Sequence, residues 1–215
     1  PPFLDDVDAV VNLAGAPIAG GRWTDERKTR ILASRIDSTR LIVRALASSP
    51  RCRTFINGSA VGYYGPRGDE WLDEDDPAGE GFLAEVCQRW EAAANSAPEG
   101  VRVATLRTGH VMSSFGGILG KERPLFQFGM GGKIGDGSQY MSWISLYDHV
   151  SAMVRILTDD SISGPVNLVG PNPCTNAEFT KTLAKAMPAK LLDHGFEFRD
   201  TSITESITSA LAGRR

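Results

Sequence analysis

The chain has 215 residues, 41% hydrophobic and 23% charged, with a formal net charge of -3 at pH 7. That length buries a substantial core, most simply one α/β domain with a small appended lobe. The charge balance gives no electrostatic reason to bind nucleic acid, and no apolar run approaches the length that spans a bilayer. Cys52, Cys87 and Cys174 are isolated, and His110, His149 and His194 are scattered. No metal site is therefore expected, and reduced thiols in a cytoplasmic protein are the simplest account.

The run from Asp8 to Gly15, apolar and then Asn-Leu-Ala-Gly, predicts a buried parallel strand whose carboxyl end opens on a ligand crevice. Asn12 is expected to anchor the neighbouring strand, while Leu13, Ala14 and Gly15 let backbone approach a flat ligand. From Thr24 the spacing of Ile31, Ile36, Leu41, Ile42 and Leu46 predicts one long helix, capped by Thr24 with Asp25 and Glu26 in its acidic first turn. Most of its arginines read as solvated surface; Arg30 and Arg35 are candidates for phosphate or ribose oxygens. Residues 53–60 form a second short strand ending in Gly-Ser. An acidic stretch, Asp69 to Asp76, reads as a solvated edge near the substrate mouth. A helix follows from Phe82, a strand from Val101 to Arg107, and then Thr108-Gly-His-Val111. The glycine-rich run 129–139 lacks the ending of a P-loop and predicts a hairpin, with Lys133 and Gln139 as candidate substrate contacts. Trp143 to Asp148 opens a helix with Val150, Met153, Val154 and Leu157 on its apolar face and Asp148 as a cap. A strand over 164–170 and a helix start at Thr175 to Glu178 complete the pattern.

Asn-Leu-Ala-Gly (12–15), Ser-Arg-Ile-Asp-Ser-Thr (34–39), Gly-Ser-Ala-Val-Gly-Tyr-Tyr-Gly (58–65), Leu-Arg-Thr-Gly-His-Val (106–111) and Trp-Ile-Ser-Leu-Tyr-Asp (143–148) together resemble the short-chain dehydrogenase/reductase superfamily. More narrowly, the chain is similar to its atypical, epimerase-like branch, related to nucleoside-diphosphate-sugar epimerases, from Asp8 to about Leu211. The resemblance implies a Rossmann-like doubly wound parallel sheet with a small C-terminal substrate lobe. It implies an NAD(P)-binding core over 1–120 and a mixed region over 121–215 that holds the substrate lobe and returning core elements. It also implies a nicotinamide cofactor, NADP(H) rather than NAD(H), touched by Asn12, Leu13, Ala14, Gly15, Arg30, Arg35, Gly58, Arg107, Thr108, Gly109 and Val111.

Two departures shape the functional reading. A Rossmann domain begins with a strand, a glycine-rich turn and a helix that receives the pyrophosphate, and nothing of that kind precedes Asp8. The sequence is thus expected to be a fragment or to comprise only ordered residues, with a second break near Lys190. The superfamily's chemistry rests on a Ser or Thr, a Tyr and a Lys four residues after the Tyr. Here the helix carries Phe82, which has no proton to give, and Val86, which carries no charge. Ser59, Tyr63 and Tyr64 are left as catalytic candidates; Glu85 and Cys87 on the same helix read as surface and core.

Two functions follow from this pattern. The first is an NAD(P)-dependent oxidoreductase or epimerase acting on a small carbonyl or hydroxyl compound, nucleotide sugars included. The alternative is an NAD(P)-binding protein with little or no turnover, in a structural or redox-sensing role. The expected partner is a small-molecule substrate, with neither nucleic acid nor membrane; the oligomeric state is not legible.

Overall fold

Strands β1 (Ala9–Asn12), β2 (Thr54–Ala60), β3 (Arg102–Thr108) and β7 (Gly164–Leu168) pair side by side in that order, every neighbour parallel. They belong to a computed structural model that describes residues 4, 6–113, 116–127 and 130–186. Strand β7 comes from the second half of the chain and returns to the sheet beside β3. The elements between β3 and β7 are β4 (His110–Met112), α3 (Gly117–Gln127), β5 (Tyr140–Met141), β6 (Trp143–Ser145) and α4 (Leu146–Thr158). Strand β4 pairs with β6, and β5 runs antiparallel to β8 (Cys174–Thr175), just before α5 (Asn176–Ala186).

Helices α1 (Asp25–Leu46) and α2 (Phe82–Asn95) cover one face of the sheet, where Phe55 packs with Ala45, Leu46 and Ala94. Helix α4 covers the other, where Ile56, Ala104 and Leu106 meet Ile144, Ile156 and Leu168. Phe55 and Ile56, adjacent in β2, are both fully buried on opposite faces. Strand side chains alternate, so a sheet covered on both sides needs apolar residues at successive positions. Each such side chain contributes roughly 1.5–3 kcal/mol by its burial.

Helix starts follow local chemistry. The Thr24 side chain accepts from the Arg27 backbone N–H, as its expected cap role requires. Ser145 caps α4: its Oγ accepts from the Asp148 backbone N–H at 2.9 Å and bonds the Asp148 carboxylate at 2.7 Å. Asp148 is thus a helix-start residue. Thr175 and Glu178 form the same reciprocal arrangement at α5.

Two expectations are corrected. The glycine-rich run does not form a hairpin over its described residues, 130–139. It makes a tight turn, Gly137 N–H to Ile134 C=O at 3.1 Å, and is tied to α5 where Asn176 Oδ1 accepts from Ile134 N–H at 2.7 Å. The strand that follows it, β5, finds its partner in β8, far along the chain, so long-range pairing overrides the local turn signal. On α4, Val150 and Val154 are exposed while His149 and Ile156 are buried and Met153 and Leu157 pack on the core. The inward face is thus rotated from the one that aliphatic spacing suggests, because it accommodates a histidine. The expected break near Lys190 lies outside the described residues.

Candidate functional site

Because β1, β2, β3 and β7 are parallel, their carboxyl ends share one edge of the sheet, the edge at which ligands bind in such folds. Leu13 to Gly15 leave β1 there, with Leu13 54% exposed. The 3-10 turn Val61–Tyr64 leaves β2, and Thr108 to Val111 leave β3. The structure therefore brings these three expected segments together.

A buried polar network holds the first segment. Asn12 Nδ2 donates to Asn57 Oδ1 on β2 at 2.8 Å and to Thr39 Oγ1 on α1 at 3.0 Å. Thr39 Oγ1 also accepts from Trp90 Nε1 on α2 at 3.0 Å and donates to Asn57 Oδ1 at 3.1 Å. The remaining Asn12 oxygen accepts from the Ala14 N–H at 3.2 Å, which fixes how the chain leaves β1. Asn12 thus anchors the neighbouring strand as expected, and its amide is turned inward.

A second network binds the other strand ends. Arg107 donates to both carboxylate oxygens of Glu91, each at 3.0 Å, with the two side chains only 3% and 9% exposed. It also donates to Tyr64 Oη at 3.0 Å and to the Glu74 C=O at 3.1 Å, and its guanidinium stacks 3.5 Å from the Tyr63 ring centre. Ser59 Oγ donates to Glu91 Oε1 at 2.6 Å, and Tyr64 Oη to Asn167 Oδ1 at 2.7 Å. Burial opposes the charge of Arg107, but its bonds to Glu91 and Tyr64 win and hold it above its ordinary pKa. Burial pushes the Tyr64 phenol up, so it stays neutral.

These contacts correct several expected roles. Arg107 directs its donors to protein acceptors, so it organises the strand ends instead of reaching a cofactor. Ser59 and Tyr64 are bonded inside the same network, their hydroxyls donating to Glu91 and Asn167. The Tyr63 hydroxyl has no hydrogen bond among the described residues, and of the three catalytic candidates it alone keeps its oxygen free. Glu74 also departs from the solvated-edge reading, because its carboxylate accepts from the Asn167 N–H at 2.7 Å. Gly58 is demanded by packing: a Cβ there would meet the Trp90 ring at 2.8 Å. Gly109 is likewise set by a close backbone approach, a Cβ lying 2.6 Å from the Ser142 C=O. Gly109→Ala is expected to lower stability by about 1–3 kcal/mol through overpacking, measured by denaturant unfolding; an unchanged midpoint would show that the 142–143 segment yields freely. Val111 is half-buried against the core around Ile144.

The Thr108 hydroxyl donates to the Leu106 C=O at 3.3 Å and lies 3.3 Å from His149 Nε2. Burial lowers the His149 pKa from the ordinary value near 6.5. The unfolded chain then binds the proton more readily than the folded one, so stability is full above about pH 6.5 and falls as pH drops below it. His149→Gln should flatten the decline in Tm between about pH 7 and 5; an identical slope in the variant would remove His149 from the acid response.

Arg35 lies where β1 meets the two helices. It is 8% exposed, its Nη1 donates to the C=O groups of Ala16 and Ile31, and it stacks 5.1 Å from the Trp90 ring. A Cβ on Gly15 would sit 2.9 Å from its guanidinium carbon. Among the described residues its Nε and Nη2 have no acceptor and it has no carboxylate partner. Desolvation lowers its pKa. Arg30, by contrast, is exposed, and its side chain makes no hydrogen bond or ion pair among the described residues.

The loop from Ala16 to Trp23 is fastened to α1, where Ser34 Oγ accepts from Ala16 N–H and Arg27 donates to the Pro17 C=O, and is closed on itself where Trp23 Nε1 donates to the Ile18 C=O. It presents Trp23 edge-on to Phe82, ring centres 5.6 Å apart, and Lys28 Nζ lies 5.7 Å from the centre of the Phe82 ring. Val86 is 3% exposed. Cys87 is buried, which pushes its thiol pKa up, and Glu85 pairs with Arg89 at 2.6 Å on the surface. Lys133 and Gln139 donate to C=O groups of their own loop, Asp136 and Ile134.

Sequence reasoning missed Thr39, Asn57, Trp90 and Glu91. The available signal was polarity at buried positions: Asn57 and Ser59 alternate with apolar residues in a strand covered on both faces, and such groups require partners. Among the described residues no helix is long and apolar enough to cross a membrane, and no cluster of three or more His, Cys, Asp or Glu side chains could hold a metal.

A family model described as the NAD dependent epimerase/dehydratase family matches residues 2–170. An epimerase family protein of Mycobacterium leprae is 47% identical over 199 residues, covering 91% of this chain and 64% of that protein. The crystal structure of human epimerase family protein SDR39U1 with NADPH superposes with a TM-score of 0.80 at 34% identity, over 84% of this chain and 63% of that one. That of a nucleoside-diphosphate sugar epimerase from Corynebacterium glutamicum gives 0.75 at 39% identity, over 97% and 46%. The chain thus spans less than two thirds of the length of these relatives. With the family model matching from β1 through β7 and close relatives covering most of its length, the chain belongs to the NAD-dependent epimerase/dehydratase family, in its epimerase-like, atypical short-chain dehydrogenase/reductase branch.

Proposed function

We propose that the protein binds a nicotinamide dinucleotide along the carboxyl edge of its sheet and uses it to reduce or oxidise a small carbonyl or hydroxyl compound, sugar nucleotides included. The observation that carries this reading is Arg35. Arg35 has no carboxylate partner among the described residues, its Nε and Nη2 are not taken up by protein acceptors there, and Gly15 lies against its guanidinium. An anionic or polyhydroxylated ligand beside Gly15 would use those donors. The residues therefore fit the cofactor: Leu13 and Ala14 offer a surface for a flat ring, and Arg35 a charge-assisted hydrogen bond. When bound, the dinucleotide supplies hydride, which the protein has only to position. The phosphorylated form is favoured, since the human relative was crystallised with NADPH. Tyr63 is the hydroxyl for orienting the substrate oxygen, its ring fixed against Arg107.

Arg35→Met keeps the packing on Trp90 and removes the charge. It should weaken NADPH binding in titration calorimetry by about 1.5–3 kcal/mol, or roughly 10- to 150-fold. An unchanged Kd in a folded variant would return Arg35 to a packing role and remove the main support for the reading. Phe82 and Val86 speak for the second reading, a cofactor-binding protein without turnover. That reading prevails if NADPH binds while no carbonyl compound is reduced.

A further inference from the structure

Helices α1 and α2 each begin at the carboxyl edge of the sheet, because each follows a parallel strand of the same sheet. Lys28 in the first turn of α1 and Phe82 at the first position of α2 are thereby brought together, Nζ 5.7 Å from the ring centre, with Trp23 edge-on to the same ring. Ring 82 stands where the resemblance places the proton-donating phenol. Val86, where it places the cation, is an uncharged side chain only 3% exposed. An ammonium is nevertheless present at ring 82, delivered from the neighbouring helix.

We propose that Lys28 is the acid/base group of this site, replacing both the absent phenol and the absent helix lysine, and that it meets the substrate oxygen beside the Trp23 and Phe82 rings. The inference rests on the nicotinamide reading above. In the reductive direction Lys28 gives a proton from Nζ to the carbonyl oxygen as the carbonyl carbon receives hydride from a reduced nicotinamide dinucleotide. The C=O π pair becomes the new O–H bond, the carbonyl is reduced to an alcohol, the dinucleotide is oxidised, and the neutral amine takes a proton back from water. The surroundings leave the ammonium available. Lys28 forms no ion pair among the described residues. Glu85, in the first turn of α2, is held by Arg89, while Asp25 and Glu26 flank Lys28 in the first turn of α1 and Arg27 follows the loop C=O groups.

The test combines kinetics with a titration that needs no turnover. With 4-nitrobenzaldehyde as probe and saturating NADPH, Lys28→Met should lower single-turnover NADPH oxidation on the order of 10²-fold or more. NADPH affinity should stay within about twofold of the parent, and Lys28→Arg, which keeps the charge but gives up its proton poorly, should not restore the rate. Separately, Phe82→Tyr introduces a phenol whose ionisation is followed by ultraviolet difference spectroscopy. Its pKa should fall below about 10 with Lys28 present and return to about 10 or above when Lys28→Met is added. Full rate in Lys28→Met, or the same phenol pKa with and without Lys28, overturns the proposal. So does a parent protein that binds NADPH and reduces no probe, a result that leaves cofactor binding standing. Failure to bind NADPH overturns the cofactor reading, and this proposal with it.

Discussion

Glu91→Ala is expected to lower the unfolding free energy by about 3–5 kcal/mol, because it strands a buried arginine. Glu91 and Arg107 are both nearly inaccessible and bonded through both carboxylate oxygens, so removal of the carboxylate leaves the Arg107 charge without its counterion and the Ser59 hydroxyl without its acceptor. Urea unfolding at pH 7 gives the number. The exposed pair Arg51–Asp8, with side chains 52% and 78% accessible, provides the contrast: Asp8→Ala should leave the unfolding midpoint almost unmoved, as is usual for solvated pairs. The double replacement Glu91→Leu with Arg107→Met should recover much of the loss, since neither charge remains to be desolvated. Equal, small effects at Glu91 and Asp8 would mean that water reaches the inner pair. A functional consequence accompanies the loss: Tyr63 stacks on Arg107 and Tyr64 bonds to it, so the turn after β2 should loosen first.

Asn12→Ala is expected to cost about 2–4 kcal/mol and to weaken NADPH binding at the same time. Asn12 is 4% exposed and connects β1, β2 and α1, while its oxygen holds the Ala14 N–H. Its removal opens a buried network and frees the backbone exit on which Leu13, Ala14 and Gly15 depend. The two readouts separate its roles. Denaturant unfolding reports the network, and calorimetry on the folded variant reports the exit geometry. A loss below about 0.5 kcal/mol, the range of ordinary surface substitutions, would show that the remaining Thr39, Asn57 and Trp90 contacts close the network without it.

The chain's own periodicity determined the parallel strands at 9–12, 54–60, 102–108 and 164–168 and the long capped helix from Asp25. A covered strand declares itself by continuous apolar residues and a helix start by its cap, both local properties. The sequence by itself also placed Asn12 to Gly15 at the carboxyl end of the first parallel strand, and the family resemblance singled out Phe82 as the position where a phenol is expected. Tertiary structure alone decided the roles of the polar residues. Arg107 meets Glu91 across 16 residues, Tyr64 meets Asn167 across 103, and Asn12 meets Asn57 across 45. Motif position cannot distinguish a hydroxyl or guanidinium facing a ligand from one bonded to a distant partner. Ser59 and Arg107 proved internal for that reason, whereas Arg35 was buried without a counter-charge and Lys28 was brought to ring 82. Local chemistry specifies where the backbone goes; which donors are left over is decided only when every buried polar group has been paired by the fold.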